Sequence, residues 1–317
     1  MIIVAQNGSG DFKTIQEAVD SISINNGTEA DKTIFIKRGV YKEQLEIKVP
    51  NLKLEGEDRD ETIITNTLGA FDPMPDGKKR GTFRSYTVFI DASQISLYNL
   101  TIRNEAGIGS EKGQAIALYA EGDLLQIENC NLIARQDTLF TGPLPEKELI
   151  PDGFLGPKQF SPRINGRQLY RNCFISGDID FIFGSATAYF ESCEIFSHTL
   201  NQEVNGYVTA PSTPKGQTYG YVFQNCCFTS NCPDNSVYLG RPWRNYAKAV
   251  FINCELGSHI KKEGFHDWDK TESHHTTFFA EYQNYGPGAE DTCREPWVHS
   301  LSPEDISQYS IESIFKK

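Results

Sequence analysis

The sequence has 317 residues, 38% of them hydrophobic, and a formal net charge of −12 at pH 7. Its apolar runs are shorter than the roughly 20 residues that a membrane helix needs, so we expect no membrane partner. The negative charge argues against binding to nucleic acid, whose phosphates are neutralised by lysine and arginine.

The N-terminal region predicts a short helix. Residues 1–6 show no charged leader followed by a long apolar segment. We therefore expect a cytoplasmic protein, or a secreted one whose leader has been removed, and a monomer in either case. Thr14 followed by Glu17 is the pattern of a capping box. One apolar face recurs at helical spacing: Ile15, Ala18, Val19 and Ile22.

From a strand at 33–37 to about residue 256, the chain predicts short strands between Gly, Asn and Asp turns. Such a series is typical of a sandwich, a barrel or a solenoid. A recurring unit, often containing Asn–Cys, favours the solenoid, because stacked repeats share one core. The unit occurs at 98–102 without cysteine, and with cysteine at 128–132, 171–175, 191–195, 224–228 and 252–256.

We therefore predict an all-β protein: a right-handed parallel β-helix formed by one domain over residues 1–317. The N-terminal helix would cover one open end, and a tail of loops and helix would follow residue 257. In that tail, Ser302 before Pro303 is a helix start. The tail residues expected to pack along the outside are Tyr309, Ile311, Ile314 and Phe315.

The eight cysteines do not have the spacing of a zinc cluster. In a cytosolic protein they would be reduced and would fill the interior of the coils. Stacking could also bring Cys193 and Cys226 into bonding range, so a disulfide between them stays open.

One long segment, residues 142–163, is rich in proline and glycine and interrupts the repeats. Long loops on a rigid scaffold often shape a binding cleft, and we expect this here. The alternative is a disordered connector.

A carboxylate lies in an unusual setting in the stretch Gly177–Gly184. Simple strand alternation puts Asp180 and Ile182 on one face and Phe181 and Phe183 on the other. A carboxylate among such apolar residues loses solvation unless it finds a partner. A buried structural aspartate is the alternative.

Paired carboxylates are the chemistry that the remaining motifs favour. The sequence contains neither G-x-S-x-G nor H-E-x-x-H. Asp180, held ionised by Arg241, could act as nucleophile or base, while Asp137 holds a proton. The amides of Gln136 and Gln114 could stabilise an oxyanion.

Aromatic residues near these motifs would supply faces for sugar rings. They are Trp243, with Phe181 or Phe183.

The motifs together resemble the pectin methylesterase family. The resemblance extends over about residues 1–315 and is carried by five motifs in order: Gly39–Glu43, Gly113–Ala117, Gln136–Leu139, Asp180–Gly184 and Leu239–Trp243. It implies a right-handed parallel β-helix and a carbohydrate esterase that uses no metal and no cofactor.

By this resemblance, Asp180 matches the nucleophile and Asp137 the general acid/base. Gln136 and Gln114 match the amides that stabilise the oxyanion, and Arg241 matches the cation that orients Asp180.

The resemblance also implies substrate contacts at Trp243, Thr82 and Trp268. The flank Ser85–Tyr86–Thr87 and the long insertion depart from the family pattern. The implied substrate is methylated homogalacturonan or its oligosaccharides. Because a protein of charge −12 repels carboxylates, we expect a preference for highly methylated chains or short oligomers.

Three other functions stay open from the sequence. The same fold could carry a polysaccharide lyase or a polygalacturonase, because a fold does not determine a function. The chain could also be a sugar-binding solenoid without catalysis, or an esterase acting on another acyl group.

Overall fold

The computed structural model describes residues 1–24, 32–290 and 293–316. The strands of this part of the chain pair in parallel and form three sheets, of which the first is the longest. Successive strands enter the three sheets in turn, so three strands complete one coil. The right-handed parallel β-helix predicted from the repeats is confirmed.

The first sheet begins at the N-terminus and has 11 strands among the described residues. In spatial order they are β1 (Ile2–Val4), β2 (Thr33–Ile36), β5 (Lys53–Gly56), β8 (Ser96–Tyr98), β11 (Leu125–Glu128), β14 (Arg167–Arg171), β17 (Thr187–Glu191), β20 (Tyr221–Gln224), β23 (Lys248–Ile252), β25 (Phe278–Tyr282) and β26 (His299–Ser300).

The second sheet carries the candidate site on its outer face. Its strands are β4 (Leu45–Ile47), β7 (Val88–Asp91), β10 (Leu118–Glu121), β13 (Leu139–Thr141), β16 (Ile179–Gly184), β19 (Gly206–Pro211) and β22 (Val237–Gly240).

The third sheet closes each coil. Its strands are β3 (Gly39–Lys42), β6 (Thr62–Asn66), β9 (Thr101–Asn104), β12 (Asn131–Ile133), β15 (Phe174–Gly177), β18 (Glu194–Ser197), β21 (Cys227–Ser230) and β24 (Glu255–Leu256).

Helices are few and short in the described residues. The α-helices are α1 (Ile15–Ile24), α2 (Gly109–Lys112), α3 (Pro303–Ile306) and α4 (Ile311–Ile314), and the 3-10 turns are Thr82–Arg84, Thr271–His275, Pro287–Ala289 and Ser307–Tyr309. None of these helices has the length and apolar character to cross a membrane.

The repeated Asn marks the turn between the first and third sheets. Asn129, Asn172 and Asn225 all have a positive φ, between 50° and 54°. Asparagine tolerates this left-handed conformation better than most residues. The Nδ2 of Asn129 also donates a hydrogen bond of 2.7 Å to Oδ1 of Asn99, which is one step of the expected ladder.

The cysteine that follows the turn points into the core. Five cysteines are buried in the coils, and no disulfide joins Cys193 to Cys226; the buried ones are Cys130, Cys173, Cys193, Cys226 and Cys254. Their thiols contact backbone carbonyls instead, as Cys173 Sγ does with the Ile127 oxygen at 3.3 Å. Stacked aromatic rings fill the space beside them; Phe223 lies 4.4 Å from Phe190 and 4.9 Å from Phe251 between ring centroids.

The N-terminal helix and the C-terminal tail both lie where expected. The apolar face of α1 packs on the first coils, with Ile15, Ala18 and Val19 buried. The helix starts where predicted: Thr14 Oγ1 accepts the Glu17 N–H, and the Glu43 carboxylate accepts the first two N–H groups of the helix. The tail residues predicted to lie outside pack against the first sheet, and they include Tyr309, Ile311, Ile314 and Phe315.

Candidate active site

The two candidate carboxylates occupy equivalent positions in adjacent coils. In the register of β13 and β16, Leu139 pairs with Ile182. Counting back two residues from each brings Asp137 level with Asp180. Neighbouring strands lie about 4.8 Å apart, so the register alone brings the two acids close together.

An irregularity in β16 directs Asp180 outward. The pairing of β16 with β19 shifts between Ile179 and Ile182, and Asp180 has a positive φ of 50°. Asp137 has a positive φ as well, 66°. Bulges and strained residues of this kind are common beside active sites, because they aim a side chain where regular pleating would not.

Because of this irregularity, the alternation of side chains predicted for Asp180–Phe183 is wrong. Phe181 and Ile182 both point into the main core, and Phe183 lies outside it in a separate apolar cluster. Phe181 is 0% exposed and is not among the residues that line the cleft, so its ring offers no face to a sugar. Phe183 does reach the cleft, where it forms part of the floor.

Arg241 binds Asp180 with both arms of its guanidinium. Nε donates to one carboxylate oxygen at 2.8 Å and the second nitrogen donates to the other at 2.7 Å. The guanidinium carbon lies 3.7 Å from the ring centroids of both Tyr207 and Trp268. Held between two rings, the arginine fixes the orientation of Asp180 as a planar, bidentate partner can.

The two carboxyl groups differ in their electrostatic environment. Burial and the nearby charge of Asp180 raise the pKa of Asp137 well above its ordinary value. Burial also raises the pKa of Asp180, but the hydrogen bonds and charge of Arg241 counteract it. The two groups titrate as a pair, and the arginine favours the state in which Asp180 is ionised and Asp137 holds the proton.

A cleft of about 370 Å³ opens over these residues. With the exception of Phe181, all of the site residues predicted from sequence line it: Asp137, Asp180, Gln136, Gln114, Arg241, Trp243, Thr82, Phe183 and Trp268. Trp243 is supported from below by Phe183 and from the side by Phe154, with ring centroids 5.7 Å and 6.2 Å away.

Some residues in the cleft, and one beside it, were not predicted from the sequence. Tyr207 forms one face of the arginine sandwich, and only the strand register reveals it. Arg244 lines the cleft and directly follows the predicted Gly240–Trp243 motif, so its adjacency was an available signal. Leu149 and Ile150 come from the insertion.

The insertion is an ordered wall of the cleft, as expected, and not a loose connector. Arg163 closes its base by donating to the carbonyl oxygens of Pro145, Lys158, Ser161 and Gln159 at 2.7–3.1 Å. Lys158 ties it to the coils through Asp91 Oδ1 at 2.6 Å. Phe154 is buried against the apolar cluster below the cleft.

Comparison with known proteins identifies the family. A family model described as pectinesterase matches residues 1–144 and 163–317, which leaves 145–162 of the insertion outside the match. Pectinesterase 2 of Citrus sinensis is 33% identical over 98% of this chain and 56% of its own length. The chain spans about half the length of the first curated relatives that it matches.

Solved structures agree over the whole fold. A pectin methylesterase from carrot has a TM-score of 0.81 and 30% identity, covering 99% of this chain and 92% of that one. A pectin methylesterase in complex with hexasaccharide VII has a TM-score of 0.80 and 28% identity, covering 100% and 97%. From the matched model, the sequence relatives and the shared coils, this chain belongs to the pectinesterase family.

Proposed function

We propose that this protein hydrolyses the methyl esters of galacturonate units in pectin and releases methanol. One observation carries the proposal: Asp180, bound at both oxygens by Arg241, shares a cleft with Asp137, whose pKa is raised. A nucleophile and a proton donor are what the cleavage of an ester requires. Membership of the family and the similarity to a hexasaccharide-bound relative support methylated homogalacturonan or its oligosaccharides as the substrate.

In the first half-reaction, a carboxylate oxygen of Asp180 attacks the ester carbonyl carbon. The carbonyl electron pair moves to oxygen, and the amides of Gln136 and Gln114 donate hydrogen bonds to that oxyanion. When the carbonyl re-forms, the bond to the methoxy oxygen breaks and Asp137 gives its proton to that oxygen. Methanol leaves, and an anhydride joins Asp180 to the sugar.

In the second half-reaction, Asp137 is ionised and can accept a proton from water. The water oxygen attacks the same carbonyl carbon, and the bond to Asp180 breaks. The product leaves as galacturonic acid, which gives its remaining proton to solvent, while Asp180 is again a carboxylate and Asp137 again holds a proton. Each carboxyl group thus returns to its starting state.

The aromatic residues of the cleft would position the sugar. Trp243 and Trp268 are half-buried, so each keeps an accessible surface while packing holds its ring. Thr82 adds a hydroxyl at the cleft wall.

Methanol release from methylated pectin tests the proposal. Asp180→Asn and Asp137→Asn should each lower kcat by about 10⁴-fold or more, as happens when one member of a catalytic unit is lost. Ser110→Ala, in the exposed helix α2, is the matched control and should keep wild-type turnover. Substantial methanol release by Asp180→Asn would overturn the nucleophile assignment. An unsaturated product, detected by ultraviolet absorbance without methanol, would instead indicate a lyase.

A further inference from the structure

A second groove adjoins the catalytic cleft. It encloses about 670 Å³ and shares Leu149, Trp243 and Arg244 with the cleft, so the two are continuous. One wall is the start of the insertion, at 143–147. The opposite wall is the loop 212–215 that follows β19.

The charge of this groove is opposite to that of the whole chain. It is lined by two carboxylates, Glu146 and Glu272, and by five basic side chains: Lys147, Arg163, Lys215, Arg244 and Lys270. The chain as a whole carries −12. A concave surface with an excess of one sign concentrates ligands of the other sign, so the groove should attract anions.

Arg244 is the central cation of the groove and has no carboxylate partner among the described residues. Its guanidinium stacks on Trp243 at 4.7 Å and donates to the carbonyl oxygens of Trp243 at 3.0 Å and Lys147 at 3.3 Å. Burial lowers its pKa to about 10, and no nearby anion opposes that effect. A partly buried cation without a counter-ion is destabilising until an anion binds to it.

Lys270 is in a similar situation on the side nearer Asp180. Its ammonium group lies 4.5 Å from the Trp268 ring centroid and donates to the carbonyl oxygens of Pro242 and Trp243. Burial and then the repulsion of Arg244 and Arg241 lower its pKa, and the charges of Glu272 and Asp180 only partly oppose this. Of these three cations, only Arg241 has an ion-pair partner in the described part of the chain.

The groove depends on a segment that the family match leaves out. Lys147 and Leu149 lie within 145–162, and the contacts of Arg163 and Lys158 hold that segment against the coils. The segment therefore adds a fixed wall and a charge to a surface that the matched coils alone would leave open.

We propose that this groove binds the carboxylate groups of already de-esterified galacturonate units in the polymer whose methyl ester lies at Asp180. The proposal rests on the proposed function, because that reaction supplies both the polymer and the carboxylates. A guanidinium can bind a carboxylate through two hydrogen bonds. Trp243 and Tyr246 offer ring faces beside it for the sugar. The site would then favour esters next to carboxylates, despite the negative charge of the whole protein.

Calorimetric titration with a fully de-esterified oligogalacturonate tests the groove without turnover, because that probe has no ester. We expect Arg244→Gln to weaken binding about tenfold or more, since it removes a charged hydrogen bond to the carboxylate. Arg244→Lys keeps the positive charge, so its affinity for the probe should fall less. Lys147→Gln with Lys215→Gln removes two exposed charges from the walls and should also weaken binding.

The matched control is Lys13→Gln with Lys42→Gln, two exposed lysines of the first coils, which should bind the probe as the wild type does. Methanol release is then compared between fully methylated oligomers and oligomers of equal length with a de-esterified end. At low salt the wild type should prefer the oligomers with a de-esterified end. Either added salt or the substitution Arg244→Gln should reduce that preference.

The two proposals fail in different ways. A wild type that releases no methanol from any methylated substrate overturns the proposed function. If methanol release is normal but the wild type, Arg244→Gln and the Lys147→Gln/Lys215→Gln variant all bind the probe equally, the proposed role of the groove is overturned and the proposed function is not.

Discussion

Arg241→Gln is the change that most directly tests the electrostatics of the site. The side chains of Arg241 and Asp180 are only 14% and 11% exposed. Removing one partner of a buried pair costs about 3–5 kcal/mol if the other stays charged. Taking up a proton avoids that cost, and each pKa unit corresponds to about 1.36 kcal/mol. The pKa of Asp180 should therefore rise by roughly two to four units in the variant.

The assay is methanol release as a function of pH. The acid limb of kcat/KM reports the ionisation of the nucleophile in the free enzyme, so we expect it to move to higher pH by about two to four units. Stability should change as well. Because the folded pKa of Asp180 lies above its unfolded value, the folded state binds the extra proton, and stability falls as pH rises between those two values. The variant should therefore lose more stability at neutral pH than at acidic pH.

Two further variants separate charge from geometry. Arg241→Lys keeps a positive charge but not the two-pronged contact, so its acid limb should lie between those of the wild type and Arg241→Gln. Adding Asp180→Asn to Arg241→Gln removes both charges and should recover most of the lost stability. An unchanged acid limb together with an unchanged melting temperature in Arg241→Gln would refute the claim that Arg241 keeps Asp180 ionised.

Two positions outside the ion pair give further predictions. A methyl group on Gly109 would overlap Oε1 of Gln136 and displace that amide. Gly109→Ala should therefore lower kcat about tenfold or more without changing the melting temperature, whereas Ser110→Ala should leave kcat unchanged. Full activity of Gly109→Ala would argue against Gln136 as an oxyanion donor. Burial raises the pKa of Glu121 to about 7, only partly offset by Lys158. The free energy of unfolding of the wild type should thus fall by up to about 3 kcal/mol as pH rises from about 4.5 to 7, and that of Glu121→Gln should fall less. Parallel curves of melting temperature against pH for the two proteins would contradict this.

The coils could be predicted because each coil repeats the same turn followed by the same inward-pointing residue. The chain must turn sharply at one place in every coil, and asparagine there tolerates the positive φ, as at Asn129, Asn172 and Asn225. Ser192 adopts the same conformation with a φ of 53° where the unit lacks asparagine. The following cysteine always points inward, so a pattern of residue types reports a pattern of backbone geometry.

The orientation of the side chains around Asp180 could not be predicted in the same way. Alternation assumes a regular strand, and the shift in the pairing of β16 with β19 breaks that assumption. It places Phe181 and Ile182 side by side in the core and leaves Phe183 outside. A bulge is set by the neighbouring coil, so a single strand read by itself does not reveal it.

The preference for highly methylated chains that the net charge predicts stays a prediction, because net charge does not describe the charges around the cleft. A charge of −12 predicts repulsion of carboxylates when the protein is treated as one body. Charges farther apart than a Debye length of about 8 Å are largely screened at physiological salt, so a polymer in the groove responds chiefly to nearby side chains. Beside Trp243 lie Arg244 and Lys270, neither of which forms a direct ion pair with a carboxylate of the described residues. A protein can therefore repel a polyanion in solution and still bind its carboxylates beside the reactive ester.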